Sequence, residues 1–194
     1  MYVFGVRITG GTLRSRLIAA PKGNATRPTT DRVREALFGI LDARGRVRGA
    51  RVLDAFAGSG ALGLEAISRG ASEVTFVECA KPAIAVLRRN VDELGVTAQI
   101  VPKRIEAAIL ELGERGRFDL VLCDPPWVEI ERLLPAIGSL VALVAEGGTL
   151  VLEHHKRTKV PMSLGGPGPG RTKQRVLRVV DTRLYGDTGL SFFE

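Results

Sequence analysis

Val52-Leu53-Asp54-Ala55-Phe56-Ala57-Gly58-Ser59-Gly60-Ala61-Leu62-Gly63 is a short apolar strand that ends in an acid and runs through a glycine-rich turn into a helix. In an open α/β sheet the ligand sits beyond the carboxyl ends of the strands, and glycines let the backbone approach it without a Cβ clash. The stretch therefore predicts a nucleotide-type binding loop. It also satisfies Gly-x-Gly-x-x-Gly, which in a dinucleotide enzyme cradles a pyrophosphate on the helix N-terminus, so an NAD(P) oxidoreductase is the competing reading. Register argues against that reading. A pyrophosphate turn starts at the strand end, whereas here Asp54-Ala55-Phe56-Ala57 intervenes with a carboxylate facing the site. A carboxylate repels phosphate and suits a cationic ligand. S-adenosylmethionine, with its ammonium and sulfonium groups, is such a ligand, and Asp54 is expected to act on its methionyl end, in part through water.

Outward from this loop, apolar runs alternate with helical patterns. Strands are predicted at 51–54, 73–78, 98–102, 118–123 and 148–153, and helices at 61–69, 81–94, 105–112 and 129–143. The 81–94 helix shows its period plainly, with Ile84, Leu87, Val91 and Leu94 on one stripe and Arg88, Arg89 and Asp92 away from it. Such alternation implies a mostly parallel sheet with helices on both faces. Ahead of it, 2–9 and 13–18 read as strands joined at Gly10-Gly11, a small hairpin. Residues 21–28 read as a loop, and Thr29-Thr30-Asp31 as the cap of a helix reaching Leu41. Val33, Leu37, Ile40 and Leu41 share one face of that helix, leaving Arg32, Arg34 and Glu35 more exposed. Residues 163–170, with only Leu164 to pack, read as a mobile loop, and 175–185 with 190–193 as a hairpin completing one edge of the sheet. The organisation expected is an N-terminal hairpin extension at 1–20 and a catalytic domain at 21–194.

Hydrophobic residues at 45% and charged residues at 25% are ordinary for a globular protein, and no apolar run approaches the roughly 20 residues needed to cross a bilayer. The first residues lack the basic and apolar regions of a signal peptide, so a cytoplasmic setting and no membrane partner are expected. The net charge of +7 is unevenly placed. Residues 1–50 hold ten Lys/Arg against three acids, 154–194 hold eight against three, and 51–153 are net acidic. Basic ends of this kind suit a polyanion such as RNA or DNA, and arginine suits bidentate phosphate contact.

Two more strand ends carry chemistry. Glu78 closes Val74-Thr75-Phe76-Val77-Glu78, 20 residues beyond Gly58, where a carboxylate can accept both ribose hydroxyls of an adenosine. The decisive one is Phe118-Asp119-Leu120-Val121-Leu122-Cys123-Asp124-Pro125-Pro126-Trp127. Two prolines stop the strand and hold the preceding carboxylate and carbonyl at a rigid angle. An exocyclic base amine is a poor nucleophile, because its lone pair is delocalised into the ring. The Asp124 carboxylate and the Pro125 carbonyl would hold such an amine with its lone pair aimed at a sulfonium methyl. Trp127 would clamp a base flipped out of its stack. Cys79 and Cys123 each close an apolar run without a metal-spaced partner and read as small buried hydrophobes. His154 and His155 are strand neighbours pointing to opposite faces, so no metal is assigned.

The blocks 54–63 and 124–127, together with Arg27-Pro28-Thr29-Thr30-Asp31-Arg32-Val33-Arg34-Glu35-Ala36-Leu37-Phe38 and the 185–193 block, resemble the RsmD-type 16S rRNA guanine-N2 methyltransferases over nearly the whole chain. The resemblance implies a Rossmann-like class I S-adenosylmethionine-dependent fold with a mostly parallel seven-stranded sheet. It also implies methylation of the N2 amine of guanine 966, on naked 16S rRNA or a partly assembled small subunit, by a monomer. It places Asp54, Ala55, Phe56, Ala57, Gly58, Ser59, Gly60, Glu78, Cys79, Arg104, Ile105 and Asp124 around the cofactor. Thr29 and Thr30 join them, from a block that closes over the cofactor and meets RNA. Phosphate contacts fall to Arg7, Arg14, Arg16, Arg27, Arg32 and Arg34. Two positions depart from the family. Lys103-Arg104-Ile105 stands where an Asp or Asn usually holds the adenine amine, leaving that contact to the backbone, and Trp127 replaces the commoner Phe or Tyr. A catalytically silent RNA-binding assembly factor on the same fold is the third reading.

Overall fold

The computed structural model describes residues 2–21, 30–166 and 175–194. The chain opens with β1 (Tyr2–Arg7) and β2 (Leu17–Pro21), an antiparallel pair that forms its own two-stranded sheet. Their connection differs from the tight turn and second strand expected at 10–18. Residues 8–16 make a longer excursion, closed by Ile8 N–H to Arg16 O at 3.0 Å, because the backbone there is held by the following domain. Glu65 accepts from Thr9 N–H, Thr9 Oγ1 and Gly10 N–H, each at 2.8 Å, and Thr12 N–H donates to Ser68 O at 2.7 Å. Tertiary hydrogen bonds thus override the local turn signal of the two glycines.

The rest follows as α1 (Asp31–Ala43), β3 (Arg51–Asp54), α2 (Ala61–Ser68), β4 (Glu73–Val77), α3 (Lys81–Leu94) and β5 (Gln99–Val101). It continues with α4 (Ile105–Arg115), β6 (Phe118–Cys123), α5 (Ile130–Leu140), β7 (Val144–His155), β8 (Ser163–Gly166), β9 (Arg175–Tyr185) and β10 (Thr188–Phe193). The sheet order is β5-β4-β3-β6-β7-β10-β9-β8, with β3 to β7 parallel and the last three antiparallel. Among the described residues it has eight strands, not seven. The extra one is β8, where a loop was expected: Leu164 is 3% exposed and pairs with Leu177, so one well-buried leucine and a backbone ladder suffice to order a glycine-rich strand. No helix among the described residues is long and apolar enough to cross a membrane.

Each face of the sheet is covered. Val52, Phe76, Leu122 and Val151 pack on one side with Leu37, Phe38 and Leu41 of α1, Leu64 of α2, Leu87 of α3, and Val6, Ile8 and Ile18 of the hairpin. Leu53, Val77, Val121 and Leu152 pack on the other against Ile109 and Leu112 of α4 and Leu133 and Ile137 of α5. Chain order reverses between β3 and β6: β4 and β5 extend the sheet one way and β7 the other. That reversal opens a crevice beyond the carboxyl ends of β3 and β6, which is where open α/β sheets bind ligands.

Candidate active site

Four acids stand at or near the crevice ends of four strands: Asp54 closes β3, Glu78 and Asp124 directly follow β4 and β6, and Glu153 lies in β7 two residues before its end at His155. Val52, Phe76, Leu122 and Val151 share one face of the sheet, and strand alternation puts the residues two positions on, Asp54, Glu78, Asp124 and Glu153, on that same face. All four line a cleft of about 500 Å³. Residues 54–59, Cys79, Lys103 to Glu106 and Pro125 to Glu129 complete most of its wall, joined by Ala20 of the hairpin.

The loop between β3 and α2 is pinned from both sides. Ala55 N–H donates to Leu122 O and Ala57 N–H to Val77 O, each at 2.9 Å. Gly58 and Gly60 take φ of 54° and 86°, left-handed values that favour glycine. At Gly63 a side-chain carbon would lie 2.2 Å from the Phe76 ring, so glycine is what lets α2 pack on β4. Glu78 accepts from Gly58 N–H at 2.8 Å with one oxygen and from Cys79 and Ala80 N–H at 2.7 Å with the other. It therefore shapes the glycine loop as well as facing the cleft.

Asp54 is 1% exposed. Its Oδ2 accepts from Gly63 N–H at 2.9 Å, and its Oδ1, also buried, has no hydrogen-bond partner. Burial pushes its pKa up to about 7; the Gly63 hydrogen bond opposes the rise, and the nearby charges of Asp124 and Glu78 add to it. An orphaned buried carboxylate oxygen in a cleft fits a cationic group or a bridging water. The same geometry takes the Gly63 amide, which serves Asp54, away from any pyrophosphate at this helix N-terminus.

Asp124 follows β6 directly, Pro125 is buried behind it, and Trp127 begins a 3-10 turn, Trp127–Glu129, that leads into α5. The Trp127 ring is half-buried and meets His155 edge-on, centroids 5.2 Å apart and planes at 65°. The expected long helix at 129–143 is thus α5 flanked by two 3-10 turns, the first of which carries the aromatic ring to the cleft.

Several expected residues sit elsewhere. Gly60 caps α2 and Thr30 caps α1, its hydroxyl accepting from Val33 N–H at 3.3 Å; neither lines the cleft. Thr29 and Arg27 lie outside the described residues. Cys79 is exposed, because β4 ends at Val77 and Cys79 already belongs to the turn. Cys123 is buried, and burial, followed by Asp124 and Asp54, raises its thiol well above the ordinary value. Arg7, Arg14, Arg16 and Arg32 are exposed, whereas Arg34 is 1% exposed, paired with Glu65 at 3.3 Å and Asp31 at 2.8 Å, and unable to reach a surface phosphate. His154 is buried against Ser191 Oγ at 2.9 Å, burial lowering its pKa, and no metal-ligating cluster exists among the described residues. Arg104 and Ile105 do line the cleft, Ile105 buried and Arg104 exposed beside Glu106.

Two residues escaped the sequence reading. Glu153 repeats the strand-end-acid pattern of Asp54 and Asp124, which could have flagged it. Asn90 of α3 joins Ser59 O at 2.8 Å to both backbone groups of Ala19 in β2, tying the glycine loop to the hairpin. A polar residue inside an apolar helical stripe was its only sign.

A family model described as Conserved hypothetical protein 95 matches residues 6–193. YlbH of Bacillus subtilis (strain 168), which carries a provisional rRNA methyltransferase name, is 32% identical over 97% of this chain and 98% of its own. The chain belongs to this family, the RsmD-type methyltransferases. Ribosomal RNA small subunit methyltransferase D of Escherichia coli (strain K12) is 40% identical over 63% of the chain and 60% of that protein, a match spanning less than two thirds of its length. The structure of a hypothetical protein from Thermus thermophilus superposes with a TM-score of 0.81 at 33% identity, covering 98% of this chain and 99% of the other. The fold is that of the class I methyltransferases.

Proposed function

We propose that this member of the family methylates the exocyclic N2 amine of a guanine in small-subunit ribosomal RNA, by resemblance guanine 966, with the base flipped into the cleft beside Asp124 and Trp127. One observation carries the reading: the Asp124-Pro125-Pro126-Trp127 turn lies on the wall of the same cleft that the glycine loop and the strand-end acids line. S-adenosylmethionine, when bound, supplies a methyl group on a sulfonium centre. Asp54 would meet its cationic methionyl end, Glu78 would accept from its ribose hydroxyls, and residues 103–106 would border its adenine. Asp124 and the Pro125 carbonyl accept from the two amine hydrogens, so the nitrogen lone pair is directed at the methyl carbon. Asp124 would take the amine proton, which becomes acidic only as the methyl group moves to nitrogen and S-adenosylhomocysteine leaves. Trp127 stacks on the extruded base, a contact worth roughly 1–3 kcal/mol. The names of the two curated relatives support rRNA as substrate, and the exposed Arg7, Arg14, Arg16 and Arg32 supply cations at the basic N-terminal end of the chain.

The test is transfer of tritiated methyl groups to small ribosomal subunits, and to their naked RNA, from cells lacking the gene, followed by nucleoside analysis. N2-methylguanosine is the expected product, and the better substrate reports when in assembly the enzyme acts. Cofactor binding with no incorporation into either would replace this reading with that of a silent assembly factor.

A further inference from the structure

Glu153 has no part in the chemistry assigned above, yet it is a carboxylate only 5% exposed that lines the cleft. It stands on β7, immediately beside β6, and the parallel register sets it next to Asp124, since Cys123 pairs with Leu152 one position earlier. Adjacent strands run about 4.8 Å apart, so the two carboxyl groups are neighbours on one face of the sheet. Val151 and Leu152, just before it, are apolar and buried, so Glu153 is the residue by which this end of β7 presents a polar group to the cleft.

With Asp124 holding the reactive amine, the next acceptor along meets the next group on the same base edge. In guanine the amine stands between N3, which only accepts, and N1, its neighbour on the Watson–Crick edge, which carries a proton and donates. In adenine and cytosine the ring nitrogen beside the amine carries none and only accepts. A carboxylate at that point satisfies guanine and opposes the other two lone pair to lone pair. We infer that Glu153 is the specificity-determining residue of the site, selecting guanine by accepting its N1–H while Asp124 holds the adjacent amine. The inference rests on the guanine reading proposed above.

The test is methyl transfer to small-subunit RNA carrying either guanine or 2-aminopurine at the target nucleotide. 2-Aminopurine keeps the amine and lacks the N1 proton. The wild-type enzyme is expected to favour guanine by roughly 30-fold in kcat/KM, the size of one hydrogen bond to a charged group. Glu153→Gln, whose amide both donates and accepts, is expected to narrow that preference about tenfold, with affinity for S-adenosylhomocysteine unchanged as proof of an intact fold. An undiminished preference in the folded variant overturns the inference. So does a wild-type enzyme that treats both bases alike, a comparison that needs no variant to fold. Methylation of the guanine RNA without N2-methylguanosine as product would instead remove the guanine reading, and the inference with it.

Discussion

Asp54 Oδ2 receives the Gly63 amide at 2.9 Å, while Asp54 Oδ1, buried beside it, makes no hydrogen bond of ordinary geometry, the Phe56 amide easing the carboxylate only weakly. A half-satisfied buried carboxylate costs stability in the ligand-free protein. Its pKa rises from 3.8 to about 7, first through burial and then through Asp124 and Glu78. The unfolded chain therefore holds fewer protons at this group between about pH 4 and 7, so stability falls as pH rises through that window and stays lower above it. Asp54→Asn keeps an acceptor for Gly63 and removes the charge. The variant is expected to be more stable than wild type at pH 8, by on the order of 2–4 kcal/mol, and so to unfold at a higher temperature, with the gap closing toward pH 4. Thermal unfolding across that range checks it, and a gap independent of pH would refute the account.

The same titration governs the ligand. In the proposed site the ligand's ammonium group favours ionised Asp54, whose population grows about tenfold between pH 6 and pH 8 for a group that titrates near 7. Affinity for S-adenosylhomocysteine, measured by titration calorimetry, is expected to strengthen by roughly that factor over the interval in wild type. In Asp54→Asn it is expected to be weak and flat with pH. A flat profile in the wild-type protein would show that Asp54 is not the group that meets the ammonium.

Asp124→Ala separates binding from chemistry. In the proposed reaction its carboxylate acts chiefly on the amine, so S-adenosylhomocysteine affinity is expected to stay within about twofold while kcat drops at least 100-fold. Trp127→Ala should act on KM for RNA, by roughly 5- to 150-fold for one lost stack, with Trp127→Phe close to wild type. Single-turnover rates beside equilibrium cofactor binding make the distinction. An Asp124→Ala enzyme of undiminished rate would remove the amine-orienting role.

The parallel core and three of the four acids over the cleft were legible because each is encoded locally. The α3 boundaries, 81–94, emerged intact: the apolar stripe, Pro82 in the first turn and Gly95 in a left-handed cap all lie inside that segment or at its edge. β8 was not legible, since its glycines offer no side-chain pattern and its order depends on Leu177, 13 residues beyond Leu164. The path of 8–16 was lost for the same reason, its hydrogen-bond partners being Glu65 and Ser68. Cys79 failed on a single residue of strand length. Asn90 and Arg34 failed because helical periodicity says which face a residue is on, not which buried partner awaits it.

Arg34 gives the sharpest case. It was expected on the exposed face of α1, and Glu65, 31 residues on, draws it inside. Both side chains are at most 1% exposed, and Glu65 also holds Arg69 Nε at 2.8 Å and the backbone of Thr9 and Gly10, while Arg34 reaches Asp31 and the Arg7 carbonyl. One buried network thus joins α1, α2 and the turn of the N-terminal hairpin. Arg34→Met leaves part of the Glu65 charge uncompensated, and a loss of roughly 3–5 kcal/mol in denaturant unfolding is expected. The salt dependence of RNA binding should stay that of wild type, because no phosphate contact is removed. Arg14→Ala and Arg16→Ala, on exposed positions, should do the reverse: stability within about 0.5 kcal/mol of wild type and a shallower slope of log affinity against log salt. A folded Arg34→Met protein with a reduced salt slope would return this arginine to the RNA surface.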